Sequence, residues 1–193
     1  MQCRGFDESS SISGFFHFTS LDLAIIVIFS SLGGALSVPV GHLGNFLKTL
    51  PGLPLGSSQI LSGIHVLWII LTVGLTRKVG SGTLTGFLKG LVELFMLSFH
   101  GVLVVLISLV EGLIVDLFFT AIRKINTVSL CLAGALSSSS NVFIVKYIVV
   151  PSLPLSIFAL MYFISFISGF FFAGYVGRRG LIIADKLLKN RVL

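Results

Sequence analysis

Residues 77–124 constrain this chain more than any other stretch. They read RKVGSGTLTGFLKGLVELFMLSFHGVLVVLISLVEGLIVDLFFTAIRK. Two basic pairs, Arg77-Lys78 and Arg123-Lys124, bracket two apolar runs separated by a short turn at 98–101. Each run is about as long as a bilayer-crossing helix, roughly 20 residues. The stretch therefore predicts a helical hairpin with both basic ends on one side of a membrane. The positive-inside rule makes that side cytoplasmic. Lys89, Glu93, Glu111 and Asp116 lie inside the hairpin. Each charge costs roughly 2.5–3.5 kcal/mol at mid-membrane on the insertion scale. Such residues point to a ligand site or a charge-paired interior.

The rest of the composition agrees. The 193 residues are 55% hydrophobic and 10% charged, against about 25% charged in a soluble domain. The fold class expected is an all-α membrane protein, with six transmembrane helices in one compact bundle and both termini cytoplasmic. Residues 1–20 form a cytoplasmic N-terminal segment, 21–176 the six-helix bundle and 177–193 a basic cytoplasmic tail, together a single integral membrane domain. The six spans fall at 21–40, 59–76, 80–99, 102–122, 127–149 and 154–176. This arrangement puts Arg4, both basic pairs, Arg178-Arg179 and the basic tail inside. Only Lys48 and Lys146 lie toward the outside, with Lys89 in the bilayer. The net charge of +6 belongs to these flanks, and no nucleic-acid surface is expected. The two cysteines, Cys3 and Cys131, lack ligand spacing, so neither disulfide nor metal site is expected. The polar start, with Asp7 and Glu8, does not read as a signal peptide.

In the first span, small residues recur four apart: Ser30 with Gly34, Ser31 with Ala35, Gly33 with Ser37. In lipid such residues admit a close helix, either within the bundle or from a partner. Residues 41–58 contain His42-Leu43-Gly44-Asn45, Pro51 and Pro54, and read as a long apolar loop capping the bundle from outside. Trp68 reads either as an interfacial anchor or as a stacking surface for a ring. Gly82, Gly86 and Gly90 form a stripe for a neighbouring helix. Lys89 and Glu93, four apart, share a helix face. Glu111 and Asp116, five apart, are turned about 140° from each other, so one ligand does not easily meet both, and Asp116 is expected to pair with a basic residue near the cytoplasmic face. Ser137 to Ser140 can bond their own helix backbone, whereas Asn141 is harder to leave unpaired in lipid. A short interfacial helix is expected from Leu181 onward.

No Walker A motif, HExxH, nucleophile elbow or cysteine–histidine metal spacing occurs, and no enzyme is expected. The chemistry left is recognition. Carboxylates, histidines, aromatics and a serine–asparagine patch suit an organic cation with an aromatic ring. The expected substrate-binding residues are His42, Asn45, His65, Trp68, Glu93, Glu111, Asn141 and Tyr162.

From about residue 42 to the end of the fifth span the chain resembles the YkoE-type substrate-binding (S) component of energy-coupling factor (ECF) vitamin transporters. The likeness rests on His42-Leu43-Gly44-Asn45, Gly63-Ile64, Arg77-Lys78 with Gly80, Val92-Glu93, Gly101, Val110-Glu111-Gly112-Leu113, Asp116, Phe119, Arg123 and Leu132-Ala133-Gly134. The chain departs from the family pattern at His65, Glu111, Asp116 and the Ser98-Phe99-His100 turn. The resemblance implies a multi-pass cell-membrane protein that captures thiamine or its hydroxymethylpyrimidine precursor. It implies a transmembrane coupling (T) subunit and two ATPase subunits as partners, with no cofactor in this chain because the ATPases use the ATP. It also implies coupling contacts through Ser31 and Ala35. Two other readings compete: a stand-alone proton-coupled transporter using Glu93, Glu111 and Asp116, and a membrane scaffold without a ligand.

Overall fold

A computed structural model describes residues 10–11, 17–48, 57–96 and 101–190. Helix α1 spans Ser20–Lys48. A 3₁₀ turn, Ser57–Leu61, leads into α2, Ser62–Thr76. Helices α3, Ser81–Phe95, and α4, Leu103–Ile122, form the hairpin. Helix α5, Thr127–Ile144, ends in a π turn at Val145–Val149. Helix α6, Leu155–Ser168, continues through a π segment, Gly169–Val176, into α7, Gly177–Asn190. A two-residue antiparallel ladder pairs β1, Ser10–Ser11, with β2, Lys124–Ile125. Helix dominates because lipid offers no partner for a free backbone N–H or C=O.

Among the described residues, five helical stretches are long and apolar enough to cross a membrane: Ser20–Phe46, Gln59–Thr76, Leu103–Ile122, Thr127–Val149 and Leu155–Ala184. The chain is a multi-pass membrane protein. Helix α3 has 15 residues, roughly 22 Å of helix, short of the ~30 Å hydrocarbon core. It carries Lys89 and Glu93 and is sheltered by its neighbours. The Ser98–His100 part of the expected turn lies outside the described residues.

Two expectations about the path of the chain are corrected. The first concerns the loop at 41–58. Helix α1 does not stop at Val40 but runs through Pro39 to Lys48, so His42 and Asn45 sit on helix, not loop. Residues 49–56, including Pro51 and Pro54, lie outside the described residues. Proline removes one intrahelical bond, whereas leaving the helix inside lipid would strand several backbone groups. The second concerns the tail. No separate interfacial helix begins at Leu181; α6, the π segment and α7 follow one another without a break. Gly177 keeps a helical φ of −56°, and Leu181 is fully buried against Gly74 of α2.

The hairpin seam is built by glycine. A Cβ on Gly90 would lie 2.7 Å from Val105 Cα, and one on Gly82 would lie 3.0 Å from the Gly112 carbonyl oxygen. The Gly82, Gly86 and Gly90 stripe thus lets α3 lie directly on α4. Asp116 completes the seam. Its Oδ1 accepts from Gly82 N at 3.1 Å, and its Oδ2 accepts from Thr83 N at 2.7 Å and Thr83 Oγ1 at 2.6 Å. The expected partner was a basic residue; the actual partner is the first turn of α3. Free N–H groups at a helix start carry partial positive charge, and a carboxylate from the next helix satisfies them.

The basic pairs close the same end of the bundle. Arg77 and Arg123 each end a helix in the left-handed region, with φ of 53° and 54°. Their N–H groups bond Val73 and Phe119 carbonyls, each at 2.8 Å. Lys78 Nζ reaches Asp22 Oδ2 at 2.6 Å and the His17 carbonyl at 2.5 Å. Asp22 also caps α1 through Thr19 N at 2.8 Å. The α2–α3 corner is thereby pinned to the start of α1.

Asp116→Ala strips three hydrogen bonds from the α3 N-terminus. Buried groups left unsatisfied cost about 1–3 kcal/mol. The variant should melt at clearly lower temperature in detergent while retaining ligand affinity. An unchanged melting temperature would show that the cap contributes nothing.

Candidate functional site

At the end of the bundle opposite the basic pairs lies a cavity of about 670 Å³. Its walls come from the last turns of α1, the 3₁₀ turn before α2, the middle of α3, the first half of α4 and the ends of α5 and α6. Much of the lining is apolar, including Val104, Ile107, Ile157 and Met161. The charged lining is Lys89, Glu93 and Glu111, with His65 beside them.

Helical spacing sets the charge pattern. Lys89 and Glu93 are one turn apart on α3, and Lys89 Nζ donates to Glu93 Oε1 at 2.6 Å. Lys89 Nζ also donates to Ser108 Oγ of α4 at 3.2 Å. Lys89 and Glu93 are only 1% and 2% exposed. His65 Nδ1 stands 3.8 Å from Glu93 Oε1, within electrostatic reach but too far for a hydrogen bond. Glu111 is 1% exposed, and its Oε2 has no hydrogen-bond partner among the described residues.

Glu111 is not alone in this. Ser37 Oγ, Gln59 Oε1 and Asn141 Oδ1 are also buried without a partner, and all four residues line the cavity. Buried polar atoms normally find partners. Four such oxygens converge on one cavity, which makes it the candidate site for a polar ligand. Around it, hydroxyls fix the walls. Ser62 Oγ donates to the Gln59 carbonyl at 2.6 Å and meets Ser138 Oγ at 2.7 Å and Ser165 Oγ at 2.9 Å. Ser137 Oγ donates to the Glu111 carbonyl at 2.9 Å. Of the serines at 137–140, only Ser139 and Ser140 bond their own helix, at Leu136 and Ser137.

Of the expected site residues, Asn45, His65, Glu93, Glu111 and Asn141 line the cavity, and His42, Trp68 and Tyr162 do not. His42 is exposed on the last turns of α1. Trp68 is half-buried. It packs in the α1–α2 seam, where a Cβ on Gly33 would meet its Cγ at 2.8 Å, with Phe29 6.2 Å away. Tyr162 belongs to an aromatic row with Phe143, Phe158 and Phe166, while its neighbour Met161 turns inward. Ser37, Gln59, Ser62 and Ser108 line the cavity without having been singled out as site residues. The available signal was a lone glutamine opening an apolar span. Asp116 faces α3, as its angle from Glu111 requires. Among the described residues no three His, Cys, Asp or Glu side chains stand close enough to hold a metal ion.

Comparison with known proteins places this architecture. A family model described as the permease component of an ABC-type cobalt transport system matches residues 21–140. The chain belongs to this family. It is a family of transporters, not of enzymes. A solved structure titled "Crystal structure of an S-component of ECF transporter" superposes with a TM-score of 0.79 at 22% identity, over 90% of this chain and 95% of that one. The chain therefore has the S-component fold. A search of the curated proteins finds no match.

Lys89→Met leaves Glu93 buried without its cation, and breaking such a pair costs about 3–5 kcal/mol. Adding Glu93→Gln should recover much of that loss. Melting temperatures of the single and double variants in detergent check this. Equal destabilisation in both would show that packing, not charge pairing, accounts for the loss.

Proposed function

We propose that this protein is the membrane substrate-binding component of an ATP-driven ECF importer, and that it captures thiamine, an aromatic organic cation, or its neutral hydroxymethylpyrimidine precursor. The observation that carries the reading is the unpartnered Glu111 carboxylate beside the orphaned oxygens of Ser37, Gln59 and Asn141. Three of the four orphans are carboxylate or amide oxygens, which accept. They ask for a ligand rich in N–H or O–H donors, and the carboxylate favours a cation. An aminopyrimidine joined to a charged ring meets both demands, and the apolar walls suit its rings. The matched family's description names cobalt. Here Glu93 is tied to Lys89 and the described residues offer no three-ligand cluster, so an organic cation suits this cavity better than a bare metal ion.

Six spans with both termini cytoplasmic would open the cavity to the outside and place all the basic pairs inside. Ser58, in the 3₁₀ turn beside the cavity mouth, tests the orientation. A cysteine there should react with an impermeant reagent from the outer face, and labelling only from the cytoplasmic face would reverse the topology.

A coupling subunit and two ATPases would drive transport. Ser31 is exposed and Ala35 half-buried on a face of α1 shared with exposed Ile28 and Leu32. This face is turned away from Ser30, Gly33 and Gly34, which pack inward. It offers the small-residue contact that a partner helix needs. Ala35→Trp should abolish assembly with the coupling subunit and leave ligand affinity intact. Normal assembly would move the contact elsewhere.

The ligand reading is tested by calorimetry with thiamine and the pyrimidine precursor. Glu111→Ala should lose one charge-assisted contact, about 1.5–3 kcal/mol or ten- to a hundredfold in affinity, with little change in melting temperature. Unchanged affinity in Glu111→Ala, with a large loss in Asp116→Ala, would put the pocket on the other face of α4.

A further inference from the structure

The cavity holds an internal ion pair whose place in recognition is not obvious. A buried Lys–Glu pair is a weak source of stability, because desolvating two charges offsets most of their attraction. It nevertheless decides the charge left for a ligand. Lys89 is the only Lys or Arg among the described lining residues. Its ammonium is committed to Glu93 at 2.6 Å and to Ser108 at 3.2 Å. Glu93 is thereby neutralised in place. Glu111 keeps an oxygen without a partner.

We propose that Lys89 is a specificity-determining residue that sets the ligand's charge. By neutralising Glu93 it leaves Glu111 as the single unmatched carboxylate, so the site selects singly charged cations over neutral isosteres and rejects phosphate esters. The proposal rests on the cavity being the ligand site, as argued above. Its chemistry is a count of charges. Two carboxylates and one ammonium leave room for one positive charge. A phosphate group would find no free lysine or arginine among the described lining residues, since Lys89 is already occupied, and His65 stands against Glu93. Burying an unmatched anion is strongly unfavourable. Glu93 does not touch the ligand in this scheme; it is a positioning residue that holds Lys89 away from Glu111.

The test uses full-length protein in detergent and calorimetric affinities for two matched pairs. One pair is thiamine and its neutral isostere with thiophene in place of thiazolium. The other is N-methyl-4-aminopyridinium and neutral 4-methylaniline. Thiamine monophosphate is the fifth probe. In the wild type the cation of a pair should bind about ten- to a hundredfold more tightly than its neutral partner, and thiamine more tightly than its phosphate. Glu93→Gln should free Lys89 to pair with Glu111 and bring cation and neutral partner to near parity. Adding Lys89→Met should restore the cation preference, which keeps the test decisive if the single variant folds poorly. Equal weakening of both pair members by Glu93→Gln would overturn the proposal, as would wild-type binding of the phosphate ester as tightly as thiamine. If the thiamine pair does not bind but the pyridinium pair shows the preference, the vitamin assignment falls and the charge rule stands. If no probe binds, the ligand-site reading falls and takes the charge rule with it.

Discussion

The Lys89–Glu93 pair is the contact on which the upper half of the bundle depends. An ammonium and a carboxylate are held almost fully out of solvent on one helix face. This is tolerable only if water is excluded and the remaining polar valences find partners. The glycine stripe of α3 meets the first condition by bringing α4 against it. Ser108 of α4 helps with the second. The hairpin seam and the charge pair are thus one structure. Loosening the seam would wet the pair, and breaking the pair would leave a bare charge in the seam. Helix α4 then delivers Glu111 to the cavity wall.

The opposite end of the bundle has a different task and uses different chemistry. There, Asp116 caps α3 from α4, Asp22 caps α1, and Lys78 ties the α2–α3 corner to both Asp22 and the chain just before it. Every strong contact is local to a helix end, so the lower half is fixed as a frame. The cavity end is built from helix tips, a 3₁₀ turn and a π turn. Helix ends are tied to one another at one end of the bundle, and buried oxygens lack partners at the other. The division also explains why two carboxylates on one helix differ so sharply. Asp116 has three donors within hydrogen-bonding distance, whereas Glu111 Oε2 has none.

Much of this was legible in the sequence. Helical spacing alone put Lys89 and Glu93 on one face and turned Asp116 away from Glu111. The Gly82, Gly86 and Gly90 stripe announced a close helix. What was not legible depends on the third dimension or on the solvent. Residues 41–58, with Gly44, Pro51 and Pro54, read as a loop; in lipid the cost of free backbone groups carries α1 through Pro39 and on to Lys48. Trp68 looked like a recognition ring, but the notch at Gly33 of another helix decides where it packs. Ser37 carries no local mark of a site, and Gln59 only that of a polar residue opening an apolar span. They become candidates only because the fold buries their oxygens on one cavity without partners, a property of the assembled bundle and not of any segment.

The central claim is that Glu111, and not Glu93 or Asp116, is the carboxylate that meets the ligand. A crystal structure of the protein with bound thiamine tests it most directly. The account predicts the ligand in the cavity between the tips of α1 and α6, with a donor of its aminopyrimidine or its charged ring within about 4 Å of Glu111 Oε2, the range over which opposite charges act strongly. Lys89 should remain on Glu93. Ligand density seated instead on Glu93 with Lys89 displaced, or against the outer faces of Trp68 and Tyr162, would contradict it.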